Sequence, residues 1–498
     1  MVNSGSFPPA EGPPTGPGAP LKVGQVVDGF RLDEALHRGG MATLWRVTRM
    51  AEDGTPLHGP DALPLIMKVP RIKGGEDPAT IVGFEVERMI MPTLSGPHVP
   101  KFIAKGDFTR QPYIVMEQIP GPSLRPRLDE APLPFDEIVS VAERVAAALH
   151  DLHRQHVVHL DIKPSNILFR PDGTAVLVDF GLSRHDQLPD LLDEEFTLPM
   201  GTGPYMSPEQ VQFVRNDPRS DLFALGVMLY HLTTGERPFG APNSVRGLRK
   251  RLYVDPVPPR ALRADCPPWL QEVILKCLEV DPAQRYQSAA QLALELQTPT
   301  QILLTRRAEK LQRTSALTRL RRWFFALGSE PEERPVTVAG QVHSNPIIMA
   351  AVDTEATPAL TTQLRETVTR LLKTEPGARL ACVSVMRTAR IGMDDLVDKS
   401  GQSRHVKQLV QLKHWAHPIG KALQFDEGRL TFHVLEAPDP AAAIVEFARR
   451  NQVDHIVMGA RGQSALRRYL GSVSSQVVAE SDCTVTVVRA PQASATTP

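Results

Sequence analysis

The hydrophobic period of this chain changes twice, and the changes divide it into segments that cannot share one architecture. In the first part, PLIMKV and PYIVMEQI are short apolar runs bounded by proline and glycine, as strands are, with the helical pattern ATIVGFEVERMIMPTL between them. From Phe135 the spacing becomes helical: Ile138, Val141, Val145, Leu149 and Leu152 form one stripe, and helical segments such as DLFALGVMLYHLTTG and SAAQLALELQ dominate to about Gln297. From Asn345 five continuous apolar runs, PIIMAAVD, RLACVSVM, LTFHVLEA, DHIVMGA and TVTVV, alternate with helix-like segments such as TTQLRETVTRLL and PAAAIVEFARRN. Continuous apolar strands alternating with helices specify a parallel sheet covered on both faces. The expectation is a small strand-rich lobe, a larger helical lobe and a separate α/β domain.

The stretches between these segments set the boundaries. Residues 1–22 are rich in proline and glycine and cannot bury enough apolar surface to offset their ordering entropy. Residues 299–340 form a strongly basic linker whose TRRAEKLQRTSALTRLRRWFF carries Leu317, Leu320, Phe324 and Leu327 at helical spacing. It reads as a solvated connector, with a membrane surface or an acidic partner as alternatives. The second folded domain then spans 341–490 and a flexible tail 491–498. With 498 residues the chain is too long for one ordinary core.

Lys and Arg total 56, as do Asp and Glu, which argues against a generally basic nucleic-acid binder. Cys266, Cys277, Cys382 and Cys483 are scattered and form neither a disulfide framework nor a zinc pattern, so a reducing cytosol fits best. The N-terminus lacks the basic and apolar regions of a secretory signal, and nowhere do about 18 apolar residues run together, so a soluble, cytoplasmic protein is expected.

The chemistry is concentrated in the first domain. HRGGMATLW, with adjacent glycines Gly39 and Gly40, is by itself more often a tight turn than a phosphate loop. Its company decides otherwise. Downstream stand Lys68 in IMKVP, then HVVHLDIKPSNIL with His159, Asp161, Lys163 and Asn166. VLVDFGLSR follows with Asp179, Phe180 and Gly181, and then GTGPYMSPEQ with Thr202 and Glu209. In that order these stretches resemble the eukaryotic-like Ser/Thr protein kinase family as found in bacteria.

The resemblance implies an α+β bilobal protein kinase fold over residues 23–298 and transfer of the γ-phosphoryl group of ATP to a protein Ser or Thr, with Mg²⁺ as the metal. Asp161 would accept or orient the proton of the acceptor hydroxyl, and Lys163 would set its charge against the γ-phosphate. Asn166 and Asp179 would supply hard oxygen ligands to Mg²⁺. Lys68 would bind the α and β phosphates and pair with an acid of the following helix, where FEVERM offers Glu85 and Glu87, and the family spacing favours Glu87. YIVMEQI resembles the hinge between lobes, with Met116 as gatekeeper and the backbone of Glu117 and Ile119 on adenine. Glu209 would pair with Arg285, and Asp221 would anchor the catalytic loop. Thr202 favours Ser/Thr over Tyr as acceptor, and the GT…SPE segment favours a protein substrate.

Two places depart from the family pattern. The usual His-Arg-Asp reads His159-Leu160-Asp161, so no arginine clamp awaits a phosphorylated residue such as Thr197. In the glycine loop, His37 and Ala42 stand where glycines are usual, each expected to weaken ATP binding if its backbone needs glycine geometry.

The end of the chain, VMGARGQSALRRYLGSVSSQVVAESDCTVTVVR, resembles the C-terminal half of universal stress protein domains. That implies an α/β doubly wound five-stranded parallel sheet. Asp353 would face an adenosine, and Gly459, Gly462, Gly471 and Ser472 would present backbone N–H groups to phosphates. The spacing QSALRRYL is one residue short of the ATP-binding pattern, which leaves a merely structural glycine turn open. The last strand, CTVTVV, is a candidate edge for pairing with a second copy. The overall expectation is an autophosphorylating kinase with a stress- or nucleotide-sensing domain; a pseudokinase scaffold or a nucleotide-binding signalling module is the alternative.

Overall fold

The computed structural model describes residues 21–489 apart from 40–41, 58–62, 72–77, 107–110, 193–198, 329–337, 339–340, 342–344, 389–403, 425–428 and 461–471. The chain divides into two units, residues 1–126 with 159–201, and residues 127–158 with 202–498.

The first unit is built on an antiparallel sheet of β1 (Val26–Val27), β2 (Phe30–Arg38), β3 (Ala42–Arg49), β4 (Leu65–Pro70), β5 (Phe102–Lys105) and β6 (Ile114–Glu117), in the order β1-β2-β3-β4-β6-β5. Strand periodicity decides which side chains form its core. Leu65, Met67 and Val69 of β4 join Leu32, Trp45, Val47 and Val115 in one cluster. The alternate residue Lys68 therefore projects from the opposite face of the sheet. Helix α1 (Pro78–Ile90) follows β4, and a small antiparallel pair, β7 (Ile167–Phe169) with β8 (Ala175–Leu177), closes the part after residue 159.

The second unit begins with α2 (Phe135–Arg154), whose stripe Ile138, Val141, Val145, Leu149 and Leu152 is buried as its spacing predicts. Helix α3 (Arg219–Thr234) is buried nearly all round, which is why it shows so little amphipathic pattern. Its Gly226 is required by close approach, because a Cβ there would lie 2.5 Å from Cys277 Cβ of α4 (Pro268–Cys277). Helix α5 (Ala289–Gln297) then packs against α2.

The basic segment differs from a simple solvated connector. Thr305 and Arg307 bond Glu272, Arg307 also reaches Glu279, and Lys310 and Arg322 pair with Asp255 at 2.9 and 2.6 Å. These ion pairs tie it to the preceding helices and set the position of α6 (Ala316–Gly328).

Five strands, β9 (Ile347–Ala351), β10 (Arg379–Arg387), β11 (Leu430–Ala437), β12 (His455–Gly459) and β13 (Thr484–Val488), form an all-parallel sheet in the order β11-β10-β9-β12-β13. Alternate residues of β9 feed opposite faces. Ile348 and Ala350 pack under α7 (Pro358–Thr374) and α8 (Arg404–Leu423), whereas Ile347 and Met349 pack under α9 (Pro440–Arg450) and α10 (Ser472–Glu480).

The second face has a further cover that no local pattern announces. Ala290 and Leu294 of α5 belong to the same apolar cluster as Ile347, Met349 and Val383 of the sheet. Buried polar bonds fix the contact. Arg379 Nη2 donates to Glu295 Oε1 at 2.7 Å, Arg379 Nη1 to the Gln291 carbonyl at 3.3 Å, and the Phe432 N–H to Gln301 Oε1 at 2.5 Å. Glu295 also lies 3.5 Å from Lys276 Nζ and accepts from the Tyr286 hydroxyl.

His433 on β11 sits in the same layer, with its ring 4.8 Å from that of Phe447. Burial, reinforced by the charge of Arg379, pushes its pKa down to about 4. An unfolded histidine near 6.5 therefore binds a proton that the folded one refuses. Stability is fully present above that value and falls as pH drops toward about 4. Urea unfolding should lose about 2.5 kcal/mol through this residue between pH 7.5 and 4.5. His433→Gln should remove that part of the pH dependence; an unchanged profile in the variant would show that other groups govern it.

Candidate active site

Lys68 reaches the carboxylates of two distant segments. Its Nζ lies 2.5 Å from Glu87 Oε2 on α1 and 2.8 Å from Asp179 Oδ1. Of the two acids on α1, Glu85 instead bonds Arg88, three residues on. The two-residue offset between Glu85 and Glu87 puts them on different sides of a helix, so only one can face β4. Burial opposes the charge on Lys68, but the two carboxylates more than offset it and its pKa rises. In return Lys68 holds Asp179 down to about 2, so this acid is ionised at any physiological pH.

The loop from His159 to Asn166 forms a second cluster. Lys163 Nζ is 2.6 Å from Asp161 Oδ2, and Asn166 Nδ2 donates to the Asp161 carbonyl at 3.0 Å and to Oδ2 at 3.3 Å. With its nitrogen so engaged, Asn166 keeps one lone pair of Oδ1 for a cation, the other accepting from the Ser165 hydroxyl at 3.3 Å. Beneath the loop, His159 Nε2 bonds the Val178 carbonyl at 3.1 Å, and the His159 ring stands 5.2 Å from that of Phe180.

Leu160 and Asp179 both take left-handed backbone, φ 63° and 69°. That conformation costs roughly 1 kcal/mol or more for a residue with a Cβ, and it persists only where the surroundings enforce it. Leu160 is buried, so the position usually held by arginine contributes an apolar side chain to the interior. Thr197 lies outside the described residues.

The glycine loop corrects one expectation. His37 pairs with Leu44, just past a register shift between Ala35 and His37, and Ala42 pairs with Pro70; neither has positive φ. Their side chains therefore exact no glycine-type backbone cost, and the loss of ATP affinity expected on that ground does not follow. Gly39 donates to the Ala42 carbonyl at 3.0 Å and its own carbonyl accepts from Arg71 at 3.0 Å, while Gly40 lies outside the described residues.

In the candidate hinge Met116 and Ile119 are buried. The Glu117 N–H is committed to the Lys101 carbonyl at 2.9 Å, so only its carbonyl remains for an adenine. Its carboxylate accepts from the Arg170 guanidinium, a pairing the sequence did not signal.

In the second unit, Arg285 makes a two-pronged buried pair with Glu209, at 2.6 and 2.8 Å. Asp221 Oδ2 is 2.9 Å from His153 Nε2. The Thr202 carbonyl accepts from the Tyr205 N–H at 2.9 Å. Sequence reasoning missed Arg251. This buried guanidinium donates to the carbonyls of Gly203 at 2.7 Å, Leu248 at 3.0 Å and Met206, and so pins the GTGPYM segment. Burial lowers its pKa to about 10, which still leaves it charged at neutral pH. One arginine among Arg246, Arg249 and Lys250 carries no signal of such a role.

In the parallel-sheet domain, Asp353 follows β9 and Gly459 ends β12, the two neighbouring strands at which the sheet order reverses. Ser472 opens α10, whereas Gly462 and Gly471 lie outside the described residues. Gly459 has a packing reason to be small: a Cβ there would meet Leu360 of α7 at 3.0 Å. Strand β13 stands at the sheet edge.

Residues 68–296 match the protein kinase domain family, and residues 345–489 match the universal stress protein family. Serine/threonine-protein kinase PknL of Mycobacterium tuberculosis is 30% identical over 279 residues, covering 56% of this chain and 67% of that protein. PknB of Mycolicibacterium smegmatis is 32% identical, covering 54% and 42% of the two chains. A probable serine/threonine-protein kinase of Clostridium perfringens is 32% identical over 43% of this chain and 31% of its own length. The chain thus spans between about a third and two thirds of these relatives. The crystal structure of the M. tuberculosis PknI kinase domain aligns with a TM-score of 0.43 at 23% identity, over 56% of this chain and all of that one.

Fold and family matches together define a protein kinase domain followed by a five-stranded parallel α/β domain. The chain belongs to the serine/threonine-protein kinase family, and it carries a universal stress protein domain at residues 345–489.

Proposed function

We propose that this protein is an ATP-dependent Ser/Thr protein kinase, with its kinase domain over residues 23–298 and a stress- or nucleotide-sensing domain over 341–490. The observation that carries the reading is Lys68 paired with Glu87 beside the ionised Asp179: phosphoryl transfer of this kind needs that lysine–glutamate pair and an aspartate able to take the metal. Bound Mg²⁺–ATP supplies the phosphoryl group to be moved. The donor set fits it: the ionised Asp179 and the Asn166 amide oxygen offer hard ligands to Mg²⁺. Lys68 offers positive charge to the α and β phosphates, and Gly39 and Gly40 are the glycine-loop candidates for them by sequence. The Glu117 carbonyl and Ile119 backbone would hold the adenine beside Met116.

Asp161 orients the acceptor hydroxyl and draws its proton, and Lys163, already held on Asp161, neutralises charge at the transferring group. Thr202 supports Ser or Thr as acceptor. In the second domain Asp353, Gly459, Gly462, Gly471 and Ser472 are the nucleotide candidates, and the exposed edge of β13 is a candidate dimer contact. Cytoplasmic location fits the chain: among the described residues no helix is long and apolar enough to cross a membrane.

The test is autophosphorylation with Mg²⁺ and ATP, comparing the wild type with Lys68→Met. Loss of at least about a hundredfold in the variant is expected, and equal incorporation would overturn the proposal. Because Leu160 presents no cation to a phosphate, Thr197→Ala should keep its activity within about tenfold of wild type, as read by the same assay. A larger loss would mean that activation does run through Thr197.

A further inference from the structure

We propose that α6 is a docking surface for an anionic lipid membrane, lying in the headgroup layer with Leu317, Leu320 and Phe324 turned into the acyl boundary. Four large apolar side chains stand exposed on this one helix: Leu317 80%, Leu320 52%, Trp323 39% and Phe324 62%. The spacing of Leu317, Leu320 and Phe324, three and then four residues apart, puts them on one face. Contiguous exposed apolar surface of this kind marks an interaction site.

The rest of the helix says what covers it. From Lys310 to Gly328 there are five basic residues (Lys310, Arg313, Arg319, Arg321 and Arg322), of which Lys310 and Arg322 pair with Asp255, and no acidic one. A second copy would bring the same positive charge against it, so self-association through this face is opposed. An anionic bilayer answers both features at once: basic side chains meet lipid headgroups while Trp, Phe and Leu enter the interface. Arg321 lines the apolar hollow formed with Leu317, Leu320 and Phe324, which suits an arginine whose stem lies along apolar surface and whose head reaches a phosphate.

Length excludes spanning. Thirteen residues make a helix of about 20 Å, well short of the roughly 30 Å hydrocarbon core. The helix is also held in place, since its Arg322 pairs with Asp255 at 2.6 Å and Lys310, just before it, pairs with the same carboxylate at 2.9 Å. The apolar face is thereby presented by an anchored element.

The experiment is co-sedimentation of the full chain with vesicles of phosphatidylcholine, with and without phosphatidylglycerol, at low and high salt. Binding to the anionic vesicles should be at least about tenfold tighter than to phosphatidylcholine alone, and should weaken with salt. Leu320→Glu with Phe324→Glu should lower it by about tenfold or more, and Arg321→Glu by a comparable factor. Because these side chains are exposed, the variants should keep the wild-type melting temperature, which separates lost docking from lost folding. Failure of the wild type to sediment with anionic vesicles would overturn the proposal, as would undiminished binding by the double variant. So would concentration-dependent dimerisation, seen by sedimentation velocity, that the double variant abolishes.

Discussion

Asp161→Asn is expected to lower phosphate incorporation by about 10²–10⁴-fold while leaving the fold intact. Asparagine has the shape of aspartate, so the bond from Asn166 Nδ2 to the residue 161 carbonyl, at 3.0 Å, survives the change. What disappears is the negative charge that now faces Lys163 Nζ at 2.6 Å and that would draw the proton from the acceptor hydroxyl. The loss should fall on kcat with little change in KM for ATP, because Asp161 acts on the acceptor. Lys68→Met should differ in kind: it removes charge offered to the nucleotide itself, so both parameters should suffer. If Asp161→Asn retains wild-type kcat, the catalytic assignment of this loop is wrong even where ATP binding is unimpaired.

Arg379→Met should destabilise the second unit by about 3 kcal/mol, read as a lower urea midpoint. The guanidinium is the closest cationic partner of the buried Glu295, at 2.7 Å against 3.5 Å for Lys276. Removing it strands a carboxylate that burial already disfavours. Glu295→Met made together with Arg379→Met should recover part of the loss, because the buried carboxylate goes with its guanidinium and only Lys276 is left without its carboxylate partner. A loss below about 1 kcal/mol in the single variant would mean that apolar packing of α5 alone holds the contact. Cutting the chain after Gln297 is a poorer probe of coupling between the domains. It would bare Ala290 and Leu294, which the parallel sheet now covers.

Much of this was legible residue by residue. The stripe of α2, the apolar runs of the five parallel strands and the alternation that turns Lys68 away from the β4 core are periodicities, and periodicity is a local property of sequence. The choice of Glu87 over Glu85 came from the resemblance to the kinase family; helical spacing alone says only that the two acids face different sides. The glycine-loop penalty depended on φ, which composition does not show: His37 and Ala42 are plainly not glycine, but the hairpin sets their backbone and gives neither a positive φ.

The sequence by itself determined the types and order of elements and the set of residues able to carry phosphoryl chemistry, because spacing and side-chain chemistry are written along the chain. Only the tertiary structure decided that Arg251 pins the GTGPYM carbonyls, that Arg170 takes the carboxylate of Glu117, and that α5 of the kinase segment covers a face of the stress-protein sheet through Arg379 and Glu295. Those partners lie 48, 53 and 84 residues apart. The reason is physical. An isolated arginine or glutamate has the same local pattern whether it ends in water or in a buried pair, and only the packing of distant segments removes the water.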